Sequence, residues 1–152
     1  MTQIPDLRLA PPRRWSIELD GVAWLPRLID KARAASAGTL GSYLYGQSPT
    51  DSGLLKVFGI GYRTFADLVS RATDDAGVAA LLGARDPGAF ERARAWSLDL
   101  RAKHKAFLWA MDLDDGYNPG AAWAKRPVNV ATNAFTAIVK RVFPVPVKPA
   151  KP

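Results

Sequence analysis

Between Val22 and Arg33 the chain commits itself to one helix, and that helix constrains everything around it. Leu25, Leu28, Ile29 and Ala32 fall at i, i+3, i+4 and i+7, the spacing of a single buried face. Pro26 is tolerated only in a first turn, so the helix starts near Trp24, and Gly38 is placed to stop it. The remaining positions carry Arg27, Asp30, Lys31 and Arg33, a dense set of charges of both signs. Such a helix needs an apolar partner on one side and counter-charges on the other.

The rest of the chain reads as more helix. Pro5, Pro11 and Pro12 make the first 14 residues an extended arm, with Arg13-Arg14-Trp15 laid over the body. Ile17-Glu18-Leu19 is a short extended piece ending at Asp20-Gly21. A loop over 39–51 is pinned by Tyr43 and Tyr45. Short helices follow over 52–58 and 62–72, and a third runs from the Thr73-Asp74-Asp75 cap to Gly83. One long helix is expected over 86–111, with Asp86 as cap and Pro87 in its first turn. Its stripe is Phe90, Ala93, Trp96 or Ser97, and Leu100. Residues 112–120 read as loop. A last helix over 128–142 places Ala131, Phe135, Ile138, Val139 and Val142 on one side. Beyond Phe143, alternating prolines predict an extended, mobile segment. With no alternating strand series, the class is all-α: a compact bundle of short and long helices with an N-terminal arm and a C-terminal tail. The expected units are a helical domain over 1–116, a basic helix over 117–143 and a Pro/Lys-rich tail over 144–152.

Composition narrows the function. At 152 residues, 48% hydrophobic and 23% charged, the chain can bury an ordinary core, with Trp, Phe and Tyr enough to fill it. The absence of cysteine excludes disulfides, thiolate metal sites and a cysteine nucleophile. Met1 to Asp6 lacks the basic and apolar regions of a signal peptide, and no apolar run reaches the roughly 18 residues of a membrane span. The cytoplasm is therefore the expected compartment. The net charge of +7 is unevenly placed. Asp115 is the last carboxylate, whereas Lys125, Arg126, Lys140, Arg141, Lys148 and Lys151 all follow it. A segment of this kind attracts nucleic acid, an acidic membrane surface or an acidic protein, or serves simply as a solubilising tail.

A family resemblance runs through the first two thirds of the chain. It is carried by Arg8-Leu9-Ala10-Pro11-Pro12-Arg13 and by the run from Leu19-Asp20-Gly21 through Trp24-Leu25-Pro26-Arg27-Leu28-Ile29-Asp30-Lys31-Ala32-Arg33-Ala34. It continues through Ala37-Gly38-Thr39-Leu40-Gly41-Ser42-Tyr43-Leu44-Tyr45, Leu54-Leu55, Phe58-Gly59-Ile60 and Phe65. On these residues the chain resembles the bacterial domain-of-unknown-function family numbered 5069. The likeness is specific over about 8–82 and looser to 116, where Trp96 and Met111 to Gly116 have counterparts. It implies a compact helical domain and no assigned activity.

Two groups of residues could carry chemistry. Arg27, Asp30, Lys31 and Arg33, with Tyr43 and Tyr45 folded above them, could form a polar pocket for a carboxylate or phosphate. Read structurally, the same charges are an ion-pair network, with Asp30 pairing Arg27 and Arg33 along the helix. Around Gly59-Ile60-Gly61, the sequence resembles a helix-hairpin-helix turn, in which backbone N–H groups approach phosphate and Arg63 supplies a cation. Lys140 and Arg141 would extend such a nucleic-acid surface. Asp112, Asp114 and Asp115 before Gly116 have the wrong spacing for a calcium loop, since position 12 is Trp123. His104 stands without a second histidine or a cysteine, so no metal and no cofactor is expected. The leading reading is a non-enzymatic binding or interaction module. Nucleic-acid binding and an enzyme or small-anion site on the first helix are the alternatives.

Overall fold

The structure is a computed structural model that describes residues 4–143. The Pro/Lys-rich tail expected over 144–152 lies outside the described residues. Among the described residues the fold is all-α apart from one small hairpin. Strands β1 (Glu18–Leu19) and β2 (Val22–Ala23) pair antiparallel, with Glu18 opposite Ala23. The two residues between them, Asp20 and Gly21, both have positive φ, the turn that Asp-Gly favours. Helix α1 (Leu25–Ala37) follows, then α2 (Pro49–Val57), α3 (Tyr62–Arg71) and α4 (Asp75–Arg85). Helices α5 (Ala89–Lys103) and α6 (Lys105–Asp114), a 3-10 turn at Pro119–Ala124 and α7 (Lys125–Val142) complete the fold.

Helix α1 is the centre of the body. Leu25, Leu28, Ile29 and Ala32 have no solvent exposure, and α3 closes over that face. Phe65, Leu68, Val78 and Leu82 continue the core through α3 and α4. On the other side α2 packs on α5, where Phe58 meets Phe90 edge-on at 5.4 Å. Gly46 is needed on two grounds. Its φ is +74°, and a Cβ would sit 2.5 Å from that of Tyr62. The arm is tied down at both ends: the Leu7 N–H donates to the Thr39 carbonyl (2.9 Å), and the Tyr117 hydroxyl donates to the Pro12 carbonyl (3.0 Å).

Several boundaries differ from the sequence reading. Helix α2 starts at Pro49 because the Ser48 hydroxyl caps it, accepting from the Asp51 N–H at 3.1 Å. Helix α4 runs past Gly83 to Arg85, and α5 begins at Ala89 rather than Asp86. The single long helix is two helices, broken at His104 (φ −119°, ψ 33°). Between the buried Leu100 and Leu108, Arg101-Ala102-Lys103-His104-Lys105-Ala106 offers no large apolar side chain. No apolar side chain there is buried to hold a continuous helix, since most helical stability comes from a buried face. The break turns Phe107 onto Trp24, with ring centres 6.1 Å apart. Residues 112–114, read as loop, are the last turn of α6.

The largest departure is α7. Its apolar stripe exists as read, but it is split: Val139 is buried and Phe135 lines the cavity half-exposed, while Ile138 and Val142 stand in solvent. Helix α7 lies across a cavity mouth, packing on α6 and the 3-10 turn, so it lacks the flat surface that would bury a stripe.

Truncating the central face tests this core. Leu28→Ala should cost about 2–5 kcal/mol of unfolding free energy in urea titrations, whereas Leu98→Ala, at 66% exposure, should change it by less than about 0.5 kcal/mol.

Candidate functional site

The charges of α1 point inward and find partners from the rest of the chain. Arg27 is 2% exposed, and its Nη1 donates to Asp115 Oδ2 at 2.7 Å and to the Arg13 carbonyl at 3.3 Å. Lys31 Nζ donates to both oxygens of Asp51, at 2.5 and 2.6 Å. Asp51, without any exposure, also accepts from the Trp24 indole N–H (2.8 Å) and the Gly46 N–H (3.0 Å). Asp30 is held by Arg13 of the arm, through its guanidinium at 2.7 Å and its backbone N–H at 2.9 Å. Arg13 also reaches Asp75, which in turn accepts from Arg33 at 2.7 Å.

The pairing of Asp30 with Arg27 and Arg33 along the helix is therefore not formed. A forked guanidinium from the arm binds the carboxylate with two parallel bonds, while an i,i+3 pair on an open helix gains only a few tenths of a kcal/mol. Asp30 is buried rather than open to a cleft. Tyr45 leaves the group as well: its hydroxyl donates to the Tyr62 carbonyl at 2.6 Å. Tyr43 does join, its hydroxyl donating to Asp115 Oδ1 at 2.8 Å.

A cavity of about 840 Å³ opens between α1, residues 42–50, the break between α5 and α6, and α7. Of the first-helix group it unites Arg27, Lys31 and Tyr43, and leaves out Asp30, Arg33 and Tyr45. Trp24, Trp96, Phe107 and Met111 make apolar walls, and Thr132 and Thr136 of α7 add hydroxyls. The Arg27 guanidinium lies 5.3 Å from the Trp24 ring centre and 5.7 Å from that of Tyr43. Its Nε is buried and has no hydrogen-bond partner among the described residues. Trp24 itself holds φ at +71°, a strained conformation for a bulky residue. Its indole bond to Asp51 and its backbone bond to the Trp15 carbonyl (3.0 Å) fix it there.

These surroundings displace several ionisations. Burial pushes the Lys31 ammonium down, against the pull of Asp51. Burial, then the neighbouring Asp115, pushes Tyr43 up. The same two causes raise the carboxyl of Asp114, which faces the cavity. Burial would raise Asp75 too, but Arg13 and Arg33 hold it below the ordinary carboxylate value.

The other sequence-predicted residues lie elsewhere. Helices α2 and α3 form the expected hairpin, with Gly59 at φ +66° closing α2. Gly61 precedes α3 at an ordinary φ of −86°, and a Cβ on either glycine would meet nothing within 4 Å. Arg63 lies over the Tyr62 ring, and its Nε donates to the Tyr62 hydroxyl at 3.1 Å. Lys140 Nζ reaches the Gly41 carbonyl at 3.4 Å, and Arg141 extends from the last turn of α7. The acidic run is accounted for by arginines: Asp112 holds Arg14 and Asp115 holds Arg27. Sequence reading missed Asp51 and Phe107 as parts of the site. Their signals, an acid in the first turn of α2 and an aromatic after a charged break, are too common to single them out.

Removing Asp115 should leave Arg27 charged and buried. Asp115→Ala is expected to cost about 3–5 kcal/mol in urea unfolding. Asp67→Ala, which opens an exposed pair with Arg71, should cost less than about 1 kcal/mol. Acid should act at Asp75. Its folded pKa is depressed, so its contribution is full above the unfolded value of about 3.9 and is lost as pH falls through the folded one. Asp75→Asn should therefore flatten the fall in stability below about pH 4.

No curated protein matches the chain. A family model does, described as "Domain of unknown function (DUF5069)", over residues 10–117. That span runs from the arm through the end of α6, so it contains both partners of every inward ion pair and stops before α7. Covering well over half of the sequence, the match establishes that the chain belongs to the DUF5069 family.

Proposed function

We propose that the chain is a non-enzymatic binding module for a small amphipathic anion, held in the cavity between α1, α6 and α7. The ligand class is a carboxylate or phosphate head on an apolar body. The observation that carries this reading is the Arg27 guanidinium, a cation set 5.3 Å from the Trp24 ring centre and 5.7 Å from that of Tyr43 in the wall of an aromatic cavity. Its buried Nε has no partner among the described residues, which costs about 1–3 kcal/mol, and a small turn of the guanidinium would offer that donor to an anionic oxygen. Tyr43 and Lys31 flank it, and the indole and phenyl walls suit an apolar body. Binding is favoured over catalysis because Arg27, Lys31 and Tyr43 already spend their main bonds on Asp115 and Asp51. On this reading residues 1–116 hold the ligand and α7 walls it in. A cytoplasmic setting belongs to the same proposal. Among the described residues, no helix is long and apolar enough to cross a membrane.

A second reading, nucleic acid at the α2–α3 hairpin, has one observation in its favour. Neither backbone conformation nor packing requires glycine at position 61, and the open space there would admit a phosphate. Salt-sensitive binding to DNA is expected in any case from the cations beyond Asp115. Lys140→Ala with Arg141→Ala should weaken it, and Arg63→Ala should not. Loss of binding on Arg63→Ala or Gly61→Val would transfer the function to the hairpin.

Calorimetric titration with a panel of alkyl and aryl carboxylates and phosphates tests the first reading. At least one member should bind saturably, and Arg27→Lys, which keeps the charge but removes Nε, should weaken it by about tenfold. Equal affinity in Arg27→Lys, or no binding across the panel, would contradict the proposal.

A further inference from the structure

Helix α7 is packed with its polar side inward. Asn129, Thr132 and Thr136 line the cavity, and Val139 is buried beside them. The opposite side carries Val130, Ala134, Ile138 and Val142 at four-residue spacing, all exposed, with Phe135 half-exposed at the edge. Trp123, just before the helix, is 83% exposed. A stripe of this length on one helix normally faces a core. Here the body takes the two hydroxyls with Val139 and leaves Val130, Ile138 and Val142 outside.

Charge decides what covers the stripe. Helix α7 bears Lys125, Arg126, Lys140 and Arg141 and no carboxylate, and no acidic residue follows Asp115 anywhere in the chain. A second copy laid on the stripe would bring two such helices together with no counter-charge on either. Nucleic acid would neutralise the cations but leave the aliphatic stripe in water. A surface that is anionic outside and apolar just beneath answers both features. We propose that α7 docks flat on an anionic lipid surface, its Val130–Val142 stripe entering the acyl boundary and the exposed Arg126 and Arg141 meeting the headgroups. The helix is about 27 Å long at 1.5 Å per residue and does not qualify as a membrane span, so it lies on the surface and does not cross it. The inference stands on the outer side of α7 and is independent of what fills the cavity.

Sedimentation of the full chain with vesicles tests it. The protein should pellet with vesicles of phosphatidylcholine mixed with phosphatidylglycerol and stay in solution with phosphatidylcholine alone. Added salt should weaken the binding. Ile138→Asp, at an exposed position, should keep the parent's circular dichroism and lower the partition by at least about tenfold. Arg141→Glu and Val142→Asp provide the same test should Ile138→Asp not fold. No pelleting with the mixed vesicles would overturn the proposal. So would unchanged binding of the stripe variants, which would mean attraction through charge alone. A lipid-free dimer that Ile138→Asp dissociates would assign the stripe to a second copy instead.

Discussion

The ion pair between Lys31 and Asp51 is the contact on which the rest of the structure leans. Burying both charges costs several kcal/mol per ion, and their attraction offsets this only when the remaining lone pairs are filled. Asp51 meets that condition by accepting from Lys31, the Trp24 indole and the Gly46 N–H together. Each donor comes from a different part of the chain: the middle of α1, the strained residue just before it, and the turn before α2. Breaking the pair would free the +71° backbone of Trp24, the positive-φ turn at Gly46 and the start of α2 at once.

The same design recurs along α1. Asp30 binds the arm through Arg13, Arg33 binds α4 through Asp75, and Arg27 binds the end of α6 through Asp115. The apolar face of α1 builds the core while its charged face fixes the surrounding segments in place. Arg27 differs from the others. Its partners use Nη1, and its buried Nε is left unmatched. A charge fixed by one carboxylate and stacked near two aromatic rings is pre-organised for a further anion.

The sequence made α1 legible in detail because three independent signals agreed there: apolar periodicity, Pro26 in the first turn and Gly38 after the last. The α2–α3 hairpin and the Asp74 cap were legible for the same reason. The break at His104 was not, because helix propensity through Lys103 and Lys105 is unremarkable and the deciding factor is missing packing. The charged cluster was recognised but its wiring was not. Local spacing shows which charges are neighbours on a helix, whereas Asp51, Asp75 and Asp115 arrive from 20 to 88 residues away. Periodicity found the stripe of α7 but not what covers it, since an amphipathic pattern does not say whether its apolar side meets protein or something else: Val139 is buried and Phe135 lines the cavity, while Ile138 and Val142 are exposed.

A double-mutant cycle on Lys31 and Asp51 tests the central claim most directly. Unfolding free energies of Lys31→Met, Asp51→Leu and the double variant should show each single change to be severe and the double change far milder than their sum. A coupling above about 2 kcal/mol is the result this account predicts. Additivity within about 0.5 kcal/mol would contradict it, and would mean that the inward charges of α1 are passengers on a core held by apolar packing alone.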